Sequence, residues 1–475
     1  MTPRRVPVLV VLALILIGAA VLDRQSSSSP PADADTLRLQ VPAAANASAG
    51  SSAWYCTGST ATPGSLADGT VVVANAGPKP LAGSITVIPL AGASKAAPFQ
   101  VAPANHAALH LADVVAAPFA SAIVELDGGD VTVELATTGP LGDSVTPCAS
   151  RGSSQWYFAE GTTTKDATET LLLFNPFPDD AVVNVVFNTD DGQKTPQALT
   201  GLSIPGQGMA AIPVGDNVPR LGVVATSITA QRGRIVAARL QTFDGSAGRK
   251  GVSIALGSPV VADTWYFPEG KVTDGLTERF QLYNPSRQEA AAELRLSLEQ
   301  GQAEPIVVAV PAESRVTVTA NDEARIPKDV SHSVTAKSVN GVGIVVERTI
   351  DAVPASHRTG LAIMPGALVA VNRSAFAAGE SDDQTDEWIV LQNPGARSAS
   401  ASITVLANGT RISDPTLQHL DVAAGQRRAV HLTDTIKLPT TPLIIDSSEP
   451  IVVERDLFRT KGLGTSMTTG IPLGG

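Results

Sequence analysis

Two glutamates occupy the same place in a repeated phrase, Glu160 in WYFAEG and Glu269 in WYFPEG. A recurring carboxylate beside aromatic rings is the kind of group that serves as a general acid or base. The other two copies of the phrase, however, carry Gly58 and Ala378 at this place. An activity shared by all copies would need the carboxylate in each, so a structural role is the more economical interpretation and we predict no catalytic residue.

An arginine follows each of these glutamates at the same distance along the chain. Arg239 lies 79 residues after Glu160, and Arg348 lies 79 residues after Glu269. A guanidinium can bind a carboxylate through two parallel hydrogen bonds. We therefore predict two structural ion pairs, Glu160 with Arg239 and Glu269 with Arg348, each inside its own copy.

Three tryptophans, Trp54, Trp156 and Trp265, begin successive copies of the phrase. Large amphipathic rings at such boundaries favour packing between neighbouring units. The alternative is contact with glycans, because an exposed indole can stack on the apolar face of a sugar. Buried rings would remove the support for that alternative.

The remaining chemistry-bearing residues indicate a disulfide and little else. Cys56 and Cys148 are the two cysteines, and an isolated pair in an exported protein is most simply a disulfide. No motif for a nucleophile elbow, a phosphate-binding loop or a metal site occurs, so we predict no cofactor and no metal. The net charge of −11 makes nucleic acid an improbable partner.

These residues belong to an internal repeat. The aromatic phrase starts at Trp54, Trp156, Trp265 and, in a weaker form, Ser374, with spacings of 102, 109 and 109 residues. A second landmark, an apolar strand pattern, ends at Asn75, Asn175, Asn284 and Asn393, with spacings of 100, 109 and 109 residues. Two independent landmarks with one period establish four copies.

The strand pattern before each asparagine alternates with period two, which places every second residue on one face. We predict that the apolar residues of this face are buried: Leu171, Leu173, Phe280, Leu282, Ile389 and Leu391. The asparagines of these three copies should bond to the backbone where the strand ends, since a buried amide without a partner is costly.

The fold class follows from the strand count. Each copy contains seven or eight alternating segments separated by turn residues, which predicts an all-β protein of four tandem immunoglobulin-like β-sandwiches. The predicted boundaries are 51–151, 152–262, 263–372 and 373–475. A propeller blade needs only about 40–50 residues, so a four-bladed propeller fits poorly.

The N-terminus predicts export. Arg4 and Arg5 precede an uncharged run, so residues 1–22 form a signal anchor that leaves the remainder of the chain outside the cell membrane. Secretion after signal cleavage is the alternative. Residues 23–50 are rich in Ser, Pro and Ala and are predicted to be a disordered stalk.

The phrase YFAEG, a strand ending in LxNP and a later Glu-Arg dipeptide together resemble repeats in actinobacterial envelope proteins of a family of unknown function. The resemblance runs over residues 54–475. It implies an exported or membrane-anchored protein and carries no catalytic residue with it.

These observations favour a non-enzymatic, membrane-anchored envelope protein with a structural or interaction role. Its partners would be the membrane, through the N-terminal helix, and a cell-wall polymer or envelope protein. A carbohydrate-binding protein that uses the boundary aromatics is one alternative, and an enzyme with a site at a domain junction is another.

Overall fold

The computed structural model describes residues 37–299 and 303–474. Over these ranges the chain is all-β, with several small sheets and only short helical turns. Within these ranges no helix has the length and apolar character needed to cross a membrane. The predicted anchor at 1–22 and the first part of the predicted stalk, 23–36, lie outside the described residues.

Repeat 1 contains eight strands and one helical turn. Their bounds are β1 Ser52–Ala61, β2 Asp68–Asn75, β3 Leu81–Pro89, β4 Lys95–Val101, β5 Asn105–His110, α1 Leu111–Val114, β6 Ala117–Leu126, β7 Val131–Gly139 and β8 Gly142–Pro147. The strand order is β4-β3-β6-β1-β2-β7-β8, with β5 on the free edge of β2. A single parallel residue pair joins β1 to β2, so the strands divide into two antiparallel layers of four.

Repeat 2 forms two separate sheets. Its strands are β9 Gln155–Phe158, β10 Ala167–Asn175, β11 Ala181–Thr189, β12 Gly192–Lys194, β13 Leu202–Ile204, β14 Gly208–Pro213, β15 Val224–Arg232, β16 Val236–Asp244 and β17 Lys250–Leu256. Short 3₁₀ turns cover Gln197–Leu199 and Val214–Asp216. One sheet has the order β12-β11-β15-β9, with β13 on β11, and the other has the order β14-β10-β16-β17.

Repeat 3 has the same plan. Its strands are β18 Thr264–Phe267, β19 Leu276–Asn284, β20 Ala290–Leu298, β21 Ile306–Val310, β22 Ser314–Thr319, β23 His332–Ser338, β24 Val345–Ala352 and β25 Gly360–Pro365. Its 3₁₀ turns cover Ala320–Asp322 and Pro354–Ser356. The sheets are β18-β23-β20-β21 and β22-β19-β24-β25.

Repeat 4 differs in having one long strand that takes part in both layers. Its strands are β26 Val371–Phe376, β27 Thr385–Gln392, β28 Ala399–Ala407, β29 Thr410–Ile412, β30 Leu420–Val422, β31 Arg427–His431, β32 Leu443–Arg459, β33 Thr465–Thr469 and β34 Ile471–Pro472. Its 3₁₀ turns cover Pro415–Leu417 and Leu432–Asp434. The first part of β32 pairs with β26 and β28, and its second part pairs with β27 and β33.

The predicted core face of the landmark strands is confirmed. Leu171, Leu173, Phe280, Leu282, Ile389 and Leu391 are all buried. They lie between the two layers of their repeats, which gives each repeat a sandwich-like core of its own.

The predicted role of the asparagines is also confirmed. The side-chain amide of Asn175 donates to the carbonyl of Asp179 at 2.8 Å, and that of Asn284 donates to the carbonyl of Gln288 at 2.6 Å. Asn393 donates to Arg397 in the same way, at 2.7 Å. Each amide therefore closes the turn that ends its strand.

The four repeats lie around a common axis and form a closed ring. One late strand from each repeat takes part in the closure: β8, β17, β25 and β33 are in contact in cyclic order, with β33 returning to β8. Serine hydroxyls link three of these four contacts within the described chain. Ser144 Oγ accepts from Ile254 N at 3.0 Å, Ser253 Oγ accepts from Ile363 N at 2.9 Å, and Ser466 Oγ accepts from Val145 N at 2.8 Å.

The propeller-like arrangement corrects the expectation that a propeller fits poorly. That expectation compared the repeat length with a blade made of one sheet, whereas each unit of this ring has two layers. Apolar residues on the outer faces of the sheets explain the closure. Leu240 and Ile254 of repeat 2 point away from their own core and pack on Ala67 of repeat 1, and a free-standing sandwich would expose them.

Residues 37–50 are not a disordered stalk, which corrects the prediction for that part of 23–50. Leu37 packs into the core of repeat 3, and Ala44 N donates to the carbonyl of Pro472 in repeat 4 at 2.9 Å. The amide of Asp130 in repeat 1 donates to the carbonyl of Ala45 at 2.9 Å. Composition suggested a stalk because Ala and Pro bury little area by themselves, but here the ring supplies the apolar partner surface.

Candidate functional site: the junctions between repeats

Buried ion pairs join consecutive repeats. The Glu-Arg dipeptide lies on β24 and β32, and successive side chains of a strand point to opposite faces. The glutamate therefore faces the preceding repeat, while the arginine faces the following one. The pairs are Arg239 with Glu347 at 2.9 Å, Arg348 with Glu454, and Arg455 with Glu134 at 3.1 Å.

The two glutamates of the WYF phrase form a second set of ion pairs across the same junctions. Glu160 of repeat 2 binds Arg315 of repeat 3 at 2.7 Å, and Glu269 of repeat 3 binds Arg427 of repeat 4. The phrase therefore recurs because its carboxylate fastens one repeat to the next.

The predicted ion pairs inside single repeats are wrong in their partners. Arg239 does reach residue 160, but its guanidinium donates to the backbone carbonyl of Glu160. Arg348 makes the same contact with the carbonyl of Glu269. A carboxylate from the next repeat occupies the position that we expected for the glutamate side chain. The repeat period could not reveal this, because contacts within a repeat and contacts between neighbouring repeats recur with the same spacing.

At the junction between repeats 1 and 2, uncharged residues replace both partners of both ion pairs. The residues equivalent to an Arg–Glu pair are Leu135 and Ala238, and those equivalent to Glu160 and Arg315 are Gly58 and Met209. A single unpaired charge in such a buried place would be strongly destabilising, whereas an apolar pair of suitable volume is tolerated. A Cβ on Gly58 would lie 3.3 Å from the Cβ of Ala238, so the two neutral positions are adjacent.

The junction that closes the ring, between repeats 4 and 1, has one fully buried charged pair and also a partly exposed pair, Arg459 with Asp143. Glu134 is bound there by Arg455 and also accepts from the amides of Ala377 and Ala378, both at 2.7 Å. The second pair is replaced by Ala378 and His106, which occupy the places of Glu160 and Arg315. Ion-pair partners thus appear and disappear together at all four junctions of the described chain.

A third buried carboxylate lies in the charged junctions. Glu169 of β10 is buried beside Arg239, Glu160 and Glu347, and neither of its oxygens has a hydrogen-bond partner among the described residues. Burial, together with the two neighbouring carboxylates, raises the pKa of Glu169 to about 8, although Arg239 opposes the shift. A neutral Glu169 leaves two arginines and two carboxylates in this junction, so its charges balance.

Equivalent carboxylates lie in the other charged junctions. Burial raises the pKa of Glu387 to about 7, against the opposing effects of Arg455 and of the Thr441 hydroxyl that donates to it. Glu278 lies 2.9 Å from the imidazole of His332, and both side chains are fully buried. The sequence placed these glutamates on the same strand face as the core leucines, a signal that could have identified them as buried.

The boundary tryptophans do not form a glycan-binding surface. Trp54, Trp156 and Trp265 are all buried. The indole Nε1 of Trp156 donates to the carbonyl of Ile235 at 2.9 Å, and that of Trp265 donates to Ile344 at 3.0 Å. Their burial agrees with the favoured interpretation, packing, and removes the support for the alternative of sugar contact by these rings, because their apolar area is used in the cores.

The predicted disulfide is present. Cys56 on β1 and Cys148, just after β8, are bonded, with their Cα atoms 4.6 Å apart. The bond connects the first and last strands of repeat 1, and both cysteines belong to its core.

An apolar cavity of about 90 Å³ lies on the axis of the ring. Its walls come from β8, β17, β25 and β33. Val41 and Pro42 of the N-terminal segment also line it. The segment 37–50 therefore crosses one face of the ring on its way from repeat 3 to repeat 1.

Residues 37–299 and 303–474 contain no candidate metal-binding site. No group of three or more His, Cys, Asp or Glu side chains is arranged there to hold an ion. Five arginines of the junctions are instead paired with glutamates.

The fold and the junctions define an all-β repeat protein whose four units close around an axis. A family model described as a family of unknown function, DUF5719, matches residues 129–346, which extend from repeat 1 across repeat 2 into repeat 3. No curated protein matches the chain significantly.

Two of the solved structures that resemble the chain match a short part of it. The Anabaena sensory rhodopsin transducer is 26% identical over 18% of this chain and 94% of its own, with a TM-score of 0.17. Protein 1070 of Thermotoga maritima is 21% identical over 22% of this chain and 94% of its own, with a TM-score of 0.21. Each match has about the extent of one repeat.

Proposed function

We propose that this protein is a non-enzymatic, membrane-anchored module on the outer face of an actinobacterial-type envelope, where it presents a rigid ring to a cell-wall polymer or an envelope protein. In this proposal each repeat is an immunoglobulin-like sandwich and residues 1–22 are the anchor. The observation that carries the proposal is the closure of the ring by the buried Arg455–Glu134 pair.

Closure matters because it changes the mechanics of a tandem array. Four sandwiches in a row would bend at each linker, whereas a ring has no free end and each repeat is held on both sides. The buried ion pairs act between repeats and are directional, so they favour one relative orientation. A rigid body of this kind suits a protein that positions a binding surface at a fixed distance from the membrane.

The path of the N-terminal segment indicates which face of the ring would lie toward the membrane. Residues 37–50 arrive on one face of the ring and are bound there by Pro472 and Asp130. A membrane anchor at residues 1–22, separated from this segment by residues 23–36, would place that face nearer the membrane, and the opposite face would then be available to partners.

Localisation is the first test of this proposal. The full-length protein with an epitope tag after Gly475 is expressed in its host, and intact cells are treated with a protease. Loss of the tag signal from intact cells, with the tag found in the membrane fraction of untreated cells, is the expected result. A tag that is protected until the cells are lysed would overturn the proposal, and a tag found in the culture medium would favour secretion after signal cleavage.

Partner binding is the second test. Photo-crosslinking from a residue on each face of the ring, followed by separation of wall and membrane fractions, should link the protein to envelope material from the face opposite residues 37–50. Crosslinks to cytoplasmic proteins alone would contradict an envelope role.

A further inference from the structure

A surface pocket of about 310 Å³ lies at the junction between repeats 3 and 4. This volume is at the lower end of the range for small-molecule sites, about 300–1,000 Å³. Its lining includes two aromatic rings, Trp388 and Phe458, and the carboxylates of Asp456 and Glu269.

Neighbouring side chains hold Trp388 in place. His431 stacks on the indole, with ring centres 4.2 Å apart and an angle of 11° between the planes. The indole Nε1 donates to Asp386 at 2.9 Å, and Asp386 also binds His431. Trp388 is the remaining tryptophan of the chain and, unlike the other three, it is only partly buried, so its free surface is available to the pocket.

Asp456 is the unpartnered polar group of this site. It is only 1% exposed, yet it lines the pocket, and neither of its carboxylate oxygens has a hydrogen-bond partner in the described chain. Burial, the neighbouring carboxylates of Glu454 and Glu269 and a side-chain contact with Glu454 raise its pKa well above the ordinary range, so the group keeps a proton that it can share with Glu454 or donate to a ligand. A buried carboxyl group without partners is costly, so a ligand that bonds to it recovers this cost.

The other junctions show that these residues are not required to hold two repeats together. The positions of Trp388 and Asp456 are occupied by Thr170 and Leu240 at the junction between repeats 1 and 2. At the junction between repeats 2 and 3 the tryptophan is replaced by Arg279, whose guanidinium binds Asp351. The aromatic and acidic set therefore occurs at one junction, as expected for a binding site rather than for a structural contact.

The charges of the lining discriminate between ligand classes. Carboxylates accept hydrogen bonds, whereas Lys271 and Arg358, which also line the pocket, donate them. Arg358 lies over the ring of Phe458, with its guanidinium carbon 3.5 Å from the ring centre. The lining also includes the carboxylates of Glu299 and Asp329, so an anion would be repelled, while Lys271 and Arg358 would lie against an organic cation. A neutral polyol has hydroxyls that both donate and accept, and it can satisfy both kinds of group.

We propose that this pocket binds a pyranose unit of a carbohydrate. The apolar face of the sugar packs on Trp388, its hydroxyls donate to Glu269 and Asp456, and its oxygens accept from Lys271 and Arg358. The site goes beyond the proposed envelope role and does not depend on where the protein is located. In this site the sugar contacts Trp388, which is partly exposed, and not the buried boundary tryptophans.

Saturation-transfer NMR tests the proposal. The probes are glucose, galactose, mannose and N-acetylglucosamine, and the protein is the full-length chain in a detergent without a sugar headgroup. We expect transfer to at least one of these sugars, with affinity lowered roughly tenfold or more in Trp388→Ala and in Asp456→Asn. Asp421→Asn, an exposed carboxylate of the same repeat, is the matched control and should bind as the unaltered protein does.

The outcomes separate clearly. Absence of saturation transfer to all four sugars overturns the proposal. Unchanged sugar binding by both Trp388→Ala and Asp456→Asn also overturns it. Displacement of the sugars by methylguanidinium would indicate a cation site and would likewise overturn it. If Trp388→Ala does not fold, Asp456→Asn and Lys271→Ala decide the matter, since neither empties the core. Failure of the localisation test would leave this result unaffected.

Discussion

The guanidinium of Arg455 in the last repeat lies 3.1 Å from the carboxylate of Glu134 in the first, across 321 residues of sequence. Both side chains are fully buried. This pair is the fully buried charged contact that closes the ring, and the junction between repeats 1 and 2 offers its natural uncharged counterpart, Leu135 with Ala238.

Removal of one partner should destabilise the ring. Glu134→Ala leaves Arg455 buried without its counter-charge, and we expect the free energy of unfolding to fall by about 3–5 kcal/mol. The double variant Glu134→Ala/Arg455→Leu reproduces the uncharged junction and should regain most of that loss. Urea denaturation followed by circular dichroism measures both effects.

An exposed ion pair provides the comparison. Arg397, whose side chain is 79% exposed, binds Glu449. Arg397→Ala removes this ion pair and should change the free energy of unfolding by less than about 1 kcal/mol. A double variant as unstable as Glu134→Ala alone would show that the pair has no specific role in closure.

The raised pKa of Glu169 should make stability fall with increasing pH. Above its ordinary pKa of 4.5 the unfolded chain loses this proton, whereas the folded protein retains it up to a pH of about 8. The folded state therefore binds more protons in this window, and the free energy of unfolding decreases by at most about 1.4 kcal/mol per pH unit for this group. Glu169→Gln should remove that decrease, so its stability relative to the unaltered protein rises from pH 4.5 to 8 and then levels off.

Two further variants check the assignment. Glu387→Gln should show the same relative gain over a narrower window that ends near pH 7. Glu289→Gln, at an exposed position, should show none. Thermal unfolding across this pH range gives the three curves, and parallel curves for Glu169→Gln and the unaltered protein would rule out a neutral Glu169.

The disulfide should stabilise repeat 1. Cys56 and Cys148 are separated by 92 residues, and closing a loop of that length is worth up to about 4–5 kcal/mol in the chain-entropy model. Cys56→Ser/Cys148→Ser should lower the urea midpoint, and addition of a reductant should lower the midpoint of the unaltered protein but leave the variant unchanged. Equal midpoints for the oxidised and reduced protein would contradict this expectation.

The N-terminal segment should detach when Leu37 is made charged. Leu37→Asp places a carboxylate in the core of repeat 3, so residues 37–50 should be released while the ring stays folded. Two amides report on this release: Ala44 of the segment, which donates to Pro472, and Asp130 of repeat 1, which donates to Ala45 of the segment. Both should then exchange with deuterium faster. Leu39→Asp is the control, since Leu39 is 56% exposed and its substitution should leave both amides protected.

Local patterns determined much of the fold from the sequence alone. The four copies, the buried faces of the landmark strands and the strand-ending role of Asn175 and its equivalents all depend on period-two alternation and on turn chemistry, which act over a few residues. The disulfide followed from the presence of two cysteines in a chain expected to be exported.

Only the tertiary structure decided which repeat each charged residue contacts. Glu160 could pair inside its own repeat or with the next one, and the repeat period is the same in both cases. The closure of the ring, the burial of Leu37 and the assembly of Trp388 with Asp456 and Arg358 likewise depend on how the outer faces of the sheets pack. That packing is set by apolar surface and by paired charges from segments that lie tens to hundreds of residues apart, which no local pattern records.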